Sequence, residues 1–145
     1  MYRILELNPQ LVPFSDNIDL RMNLYRNTKN RLLTAGQDLK DFANGHNFYG
    51  FHHVEGGWYY REWAPSADQL YLEGEFNNWN PTSHPMKRLD GENWELYLPG
   101  DDALWHGCKV KTVVDYHGSR TEHLPLYIRR VIQNKSNNTF DAEVV

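Results

Sequence analysis

Residues 70–100 read LYLEGEFNNWNPTSHPMKRLDGENWELYLPG. In the second half, Trp94, Leu96 and Leu98 alternate with Glu95 and Tyr97, the two-residue period of a half-buried strand. In the first half, a strand ends at Gly74 and runs into Phe76-Asn77-Asn78-Trp79-Asn80-Pro81, a polar turn carrying one large aromatic. Loops lie on the surface, so an indole there is badly placed for a core. Either Trp79 caps the end of a sheet, or it displays an indole face to a ligand.

The same short alternating runs extend outward from about His46 to the C-terminus. Candidate strands are 48–52, 58–63, 69–74, 87–89, 94–98, 108–114, 120–123, 126–131 and 139–144. Turn signals separate them, among them Glu55-Gly56-Gly57, Pro65-Ser66, Asp90-Gly91, Pro99-Gly100 and His117-Gly118. In the run from Cys108, the residues Cys108, Val110, Thr112 and Val114 share a face opposite Lys109, Lys111 and Val113. The expected fold is mainly β: an immunoglobulin-like β-sandwich over 46–145, with an N-terminal α-helical extension over 1–45.

In that extension, 15–35 has helical spacing. Ile18, Met22, Tyr25 and Leu32 form a stripe joined by Leu24 and Leu33, Ser15 or Asp16 caps the start, and Gly36 suits the end. The helix is expected to pack on the sandwich. A short turn of helix is expected at 38–43, with Leu39 and Phe42 inward. Asn8-Pro9 and Val12-Pro13 predict an extended arm before residue 15.

Composition narrows the function. The 145 residues carry a net charge of −4, which argues against a nucleic-acid partner, and no 18-residue apolar run predicts a membrane span. One cysteine, Cys108, excludes an internal disulfide, and the opening MYRILELNPQ lacks the apolar run of a secretory signal, so a cytoplasmic protein is expected. Of 20 aromatic residues, 13 fall within 48–105, more than one small core readily uses. A surplus of flat rings suits stacking on sugars.

Catalytic signatures are missing. There is no P-loop, GxGxxG, HExxH or GxSxG, so no catalytic residue is assigned. The seven histidines are scattered, and the adjacent His52 and His53 point to opposite faces of a strand, so neither a metal nor a cofactor is expected. Glu73 and Glu75 read as one solvated strand edge. Cys108 reads as a small core residue, and the sequons at Asn134 and Asn137 carry little meaning without a secretory signal.

The motifs resemble a known family. Glu62-Trp63-Ala64-Pro65, then Leu70-x-Leu72-x-Gly74-x-Phe76-Asn77-x-Trp79, then Trp94-Glu95-Leu96 and Lys109-Val110-Lys111 resemble a family-48 carbohydrate-binding module. Such modules precede the catalytic barrel in glycogen branching and debranching enzymes and occur in the β subunit of AMP-activated kinase. The segment Asn8-Pro9-x-Leu11-x-Pro13-Phe14 through Arg21, with Phe48-Tyr49-Gly50-Phe51-His52, is similar to the leader of eukaryotic-type 1,4-α-glucan branching enzymes.

The resemblance implies a glucan site. Trp79, with Asn78 beside it, matches a Trp that stacks on glucose in the kinase-type modules. Lys111 matches a Lys that bonds sugar hydroxyls, and Asn137 lies in a loop matching a sugar-contacting Asn. The second stacking Trp of those modules falls near Arg120 here, so that platform is absent and weak binding is implied. Trp63, Pro65 and Asn93 match a region near the catalytic domain that forms a different glucan site. The resemblance also implies that the acid/base pair sits on a (β/α)8 barrel expected after Val145, outside this chain. The partners implied are an α-1,4-glucan or maltooligosaccharide and that barrel, with the parent protein a branching enzyme. A regulatory module of the kinase β-subunit type and a protein-docking sandwich without sugar binding are the alternatives.

Overall fold

Tyr60 and Trp94 show how the alternating runs make a core. Both are buried, on strands that pair antiparallel, and each turns one face of its strand inward while Tyr59 and Glu95 take the other. The computed structural model describes residues 2–145. The chain divides into two units, Met1–Asn44 and Gly45–Val145.

The second unit holds nine strands: β1 (Gly50–Val54), β2 (Gly57–Trp63), β3 (Gln69–Gly74), β4 (Lys87–Arg88), β5 (Asn93–Pro99), β6 (Lys109–Tyr116), β7 (Ser119–His123), β8 (Arg130–Asn134) and β9 (Thr139–Glu143). One antiparallel sheet has the order β1-β2-β5-β4. The other has the order β3-β6-β9-β8, with β7 also paired to β6. β7 and β9 lie along different stretches of β6, Thr112 facing His123 and Lys109 facing Glu143. The inner faces meet in a core of Tyr60, Leu70, Leu72, Trp94, Leu98, Cys108, Val110 and Ala142. Phe51 stacks on Tyr60 at 4.3 Å between ring centres, and the Trp94 indole N–H donates to the Ala64 carbonyl at 2.9 Å.

The alternation read from the sequence holds in β5 and β6, and Cys108 is a core residue whose thiol burial pushes upward in pKa. Val113 departs from it, being buried although it shares the outer face with Lys111, because Tyr71 and Glu122 flank it across the strands. The expected strand at 126–131 begins only at Arg130. Pro125 opens a turn closed by Ile128 N–H on its carbonyl, and the Leu126 N–H is spent on the Glu62 carboxylate. Glu73 and Glu75 do not form one solvated edge. Glu73 is buried opposite Lys111, while the chain after Gly74 winds into a 3-10 turn and Glu75 accepts the Lys109 N–H.

In the first unit, α1 (Arg3–Leu7) leads into a 3-10 segment, Pro9–Phe14, and then α2 (Ser15–Leu32). The expected extended arm is therefore helical. Pro9 sits at the start of its segment, where a missing N–H costs nothing, and Pro13 lies within a short 3-10 stretch. No side chain caps α2, because the backbone enters it already turning, Ser15 being helical. The helix stops at Leu32, and Gly36 takes its positive φ in the turn beyond. No residue of α2 is buried; Ile18 and Met22 are half-buried, while Leu24, Tyr25 and Leu32 are exposed. In α3 (Leu39–Phe42), capped by Asp38, both Leu39 and Phe42 are exposed rather than inward. A unit of this length lacks the volume to enclose its apolar side chains. Among the described residues no helix is long and apolar enough to cross a membrane.

Candidate glucan-binding site

Strand β3 ends at Gly74, where an added Cβ would run into the Lys109 carbonyl, so only glycine lets the two strands close here. The following 3-10 turn, Glu75–Asn77, delivers Asn78 and Trp79 with φ of 54° and 57°, and the Trp79 N–H donates back to the Gly74 carbonyl at 2.8 Å. A left-handed backbone costs an L-residue about 1–2 kcal/mol, and two in succession, one of them a tryptophan, are held against that cost. The result is an indole 37% exposed rather than folded over the core.

Three of the residues singled out by sequence meet around it. Trp79, Lys111 and Asn137 line one open concavity of about 290 Å³, together with Lys109, Thr139 and Asp141. The Lys111 ammonium lies 5.8 Å from the indole centre. It pairs with Glu122 at 2.9 Å and faces Asp141 at 3.7 Å. The hydrogen bond to Glu122, with the Asp141 and Glu73 charges, holds its pKa above the usual lysine value. Burial, and the neighbouring Glu122, push the Glu73 carboxyl upward. Asn137 accepts from the Thr139 N–H at 3.1 Å and from its hydroxyl at 2.8 Å, which fixes the carboxamide at the rim. Asn78 is exposed beside Trp79 and does not line the concavity.

Of the other three candidates, Trp63 and Asn93 lie on the opposite sheet and Pro65 in the turn after β2. Trp63, 45% exposed, and Pro65 line an open, largely apolar cleft of about 600 Å³ with Tyr116, His123 and Leu126. Asn93 pairs with Trp63 across β2 and β5, accepts the Tyr49 hydroxyl at 2.6 Å and donates to Asp90 at 2.8 Å. The Trp63 indole N–H donates to Glu92 at 3.2 Å. Beneath the cleft, Glu62 is buried and accepts from the Tyr60 hydroxyl and from the Trp63 and Leu126 N–H groups; its burial raises the carboxyl pKa.

The carboxylates around Lys111 escaped the sequence. Asp141 lies thirty residues away and reaches Lys111 only because β9 pairs with β6. Glu122 lies diagonally across β6 and β7, so the short spacing was visible while the register was not. Among the described residues, no group of three or more His, Cys, Asp or Glu is placed to hold a metal ion. The site thus offers an aromatic face, an ammonium and several amide and carboxylate groups. Those are the groups that pack on a sugar ring and bond its hydroxyls.

Known proteins resemble this chain in sequence or in fold. Two proteins named 1,4-alpha-glucan-branching enzyme match: that of Dictyostelium discoideum, 36% identical over 97% of this chain and 21% of its own length, and that of Felis catus, 38% identical over 77% and 17%. The chain thus spans about a fifth of the length of these relatives. The solved structure of pullulanase type I from Bacillus subtilis str. 168, complexed with maltose, shares the fold: TM-score 0.52, 15% identity, 81% of this chain and 14% of that one. The profile of Carbohydrate-binding module 48 (Isoamylase N-terminal domain) matches residues 48–128, more than half of the sequence, and the chain belongs to that family.

Proposed function

We propose that the Gly45–Val145 unit binds an α-1,4-glucan chain and positions it for the catalytic barrel of a 1,4-α-glucan branching enzyme, which forms α-1,6 branches in glycogen biosynthesis. The observation that carries this reading is the convergence of an exposed Trp79, Lys111 and Asn137 on one polar concavity. An indole offers a flat apolar face to the C–H side of a glucosyl ring, while Lys111, Asn137 and Asn78 beside them supply bonds to hydroxyls. The contribution is one of holding and orientation, not chemistry.

The apolar Trp63–Pro65 cleft, with Asn93 behind it, is read as the side that meets the barrel and a second stretch of glucan. Residues 1–45 form the arm and helix of this assembly, 46–145 the module. The single buried thiol of Cys108 suits a cytoplasmic enzyme. Affinity electrophoresis of the chain in glycogen-containing gels tests the reading: retardation by glycogen, relieved by soluble maltoheptaose, is expected, and migration indifferent to glycogen refutes it.

A further inference from the structure

Asn77 sits at the root of the Trp79 turn and touches almost every part of it. Its Oδ1 accepts the Gly74 N–H at 2.9 Å. Four acceptors surround its Nδ2: the Leu72 carbonyl at 3.2 Å, the Asn80 carbonyl at 3.1 Å, Ser83 Oγ at 3.0 Å and His84 Nδ1 at 3.1 Å. A carboxamide has only two N–H hydrogens. Ser83 Oγ and His84 Nδ1 lie 2.8 Å apart and bond each other. Two of the four acceptors are backbone carbonyls.

Those carbonyls bracket the site. Leu72 belongs to β3, and Asn80 is the residue just past Trp79. One side chain therefore ties the sheet to the far side of the two left-handed residues. Asn80 in turn bonds the N–H groups of Thr82 and Ser83 through its own Oδ1, which stiffens the return strand of the turn.

We propose that Asn77 is the positioning residue of the glucan site: its carboxamide clamps Leu72, Gly74 and Asn80 so that Asn78 and Trp79 stay left-handed and the indole remains over the concavity beside Lys111. The proposal rests on reading Trp79 as the sugar platform. Asn77 itself does not line the concavity. Without the clamp the bulky Trp79 relaxes toward an ordinary backbone conformation, and its ring leaves Lys111.

The test compares the native chain with Asn77→Ala, Asn77→Asp and Trp79→Ala. Maltoheptaose affinity is measured by calorimetric titration, folding by thermal melts, and ring position by the five indole N–H resonances in NMR. Asn77→Asp keeps the shape and the acceptor for Gly74 but loses both donors. The expected result is at least a tenfold loss of affinity in the Asn77 variants. The Trp79 indole resonance should shift while those of Trp58, Trp63, Trp94 and Trp105 stay in place. Native affinity with an unmoved Trp79 resonance, in whichever Asn77 variant folds, overturns the proposal. So does unfolding of both variants, which makes Asn77 a residue of the fold at large. Trp79→Ala separates the two claims: if it binds maltoheptaose normally the site reading itself fails, whereas if it alone loses binding only the clamp fails.

Discussion

The Lys111 ammonium lies 5.8 Å from the centre of the Trp79 ring while bonded to Glu122 at 2.9 Å. The aromatic platform and its polar neighbour are therefore placed by different devices, a strained turn for one and a cross-strand ion pair for the other. Each can be removed without the other.

Removing the platform comes first. Trp79→Ala deletes an exposed ring outside the core, so glycogen retardation should be lost while Tm stays within a few degrees of native. If Trp79 were a cap on the core, the same change would cost about 3–5 kcal/mol. Gel retardation run beside thermal melts decides between the two.

Lys111→Ala should weaken glucan binding and also lower Tm, because the buried Glu73 and Asp141 carboxylates lose the cation that faces them. At the Glu122 contact itself little is lost, because that carboxylate is exposed and returns to solvent. Asp141, more deeply placed, loses a partner at 3.7 Å. A Lys111→Ala chain that still binds glycogen normally removes Lys111 from the proposed contacts.

Trp94 is the opposite case. It is buried, donates its indole N–H to Ala64 and carries Arg88 over its ring at 4.3 Å. Trp94→Ala should destabilise the sandwich by about 3–5 kcal/mol, read by denaturant unfolding, whatever the ligand.

These contrasts follow how legible each part was in the sequence. Alternation in 94–98 and 108–114 placed Trp94 inside and Lys111 outside, because a strand's two-residue period is a local property. The arm before Ser15 is helical where its prolines suggest an extended chain, because Pro9 at the start of a segment and Pro13 in a short 3-10 stretch are both accommodated by local turns. Exposure of Leu39 and Phe42 was hidden for another reason: an apolar residue in a short helix says what it is, not what covers it. The motif around Trp79 was legible, whereas Asp141 beside Lys111 required the pairing of β6 with β9. Asn77 read only as part of a polar turn, since its bonds span Leu72 to His84.

Affinity should be low. One stacked indole covering about 60 Å² of sugar face contributes roughly 1.5 kcal/mol at ~25 cal/mol per Å². Hydrogen bonds from Lys111 add about 1 kcal/mol net. The second ring that the resemblance implies would fall near Arg120, which is bonded to Asp115 through two contacts of 2.7 Å and lies over Tyr71. Maltoheptaose should therefore bind no more tightly than the millimolar level, about −4 kcal/mol, by calorimetric titration. A low-micromolar result would mean that a second platform is in use.

The turn should also be acid-sensitive through His84. Burial lowers its pKa below the ordinary 6.5, so the folded state keeps the ring neutral where the unfolded chain would protonate it. Below pH 6.5 the unfolded state binds more protons, and stability from this group is lost as pH falls from 6.5 toward the depressed folded value. The contacts agree with the direction that burial sets: Nδ1 faces the Asn77 amide N–H, so an imidazolium would set donor against donor there. Glu62 acts in the opposite sense. Its raised pKa makes the folded state hold its proton longer, so that group favours folding as pH falls toward 4.5. A melting curve of the native chain alone mixes the two. His84→Asn, in which Oδ1 stands in for the accepting Nδ1, removes only the first. The difference in Tm between native chain and variant should be nearly constant above pH 6.5, and should move in the variant's favour as pH falls below it. A difference that stays flat from pH 7.5 to 5 would show that His84 does not couple the turn to protons.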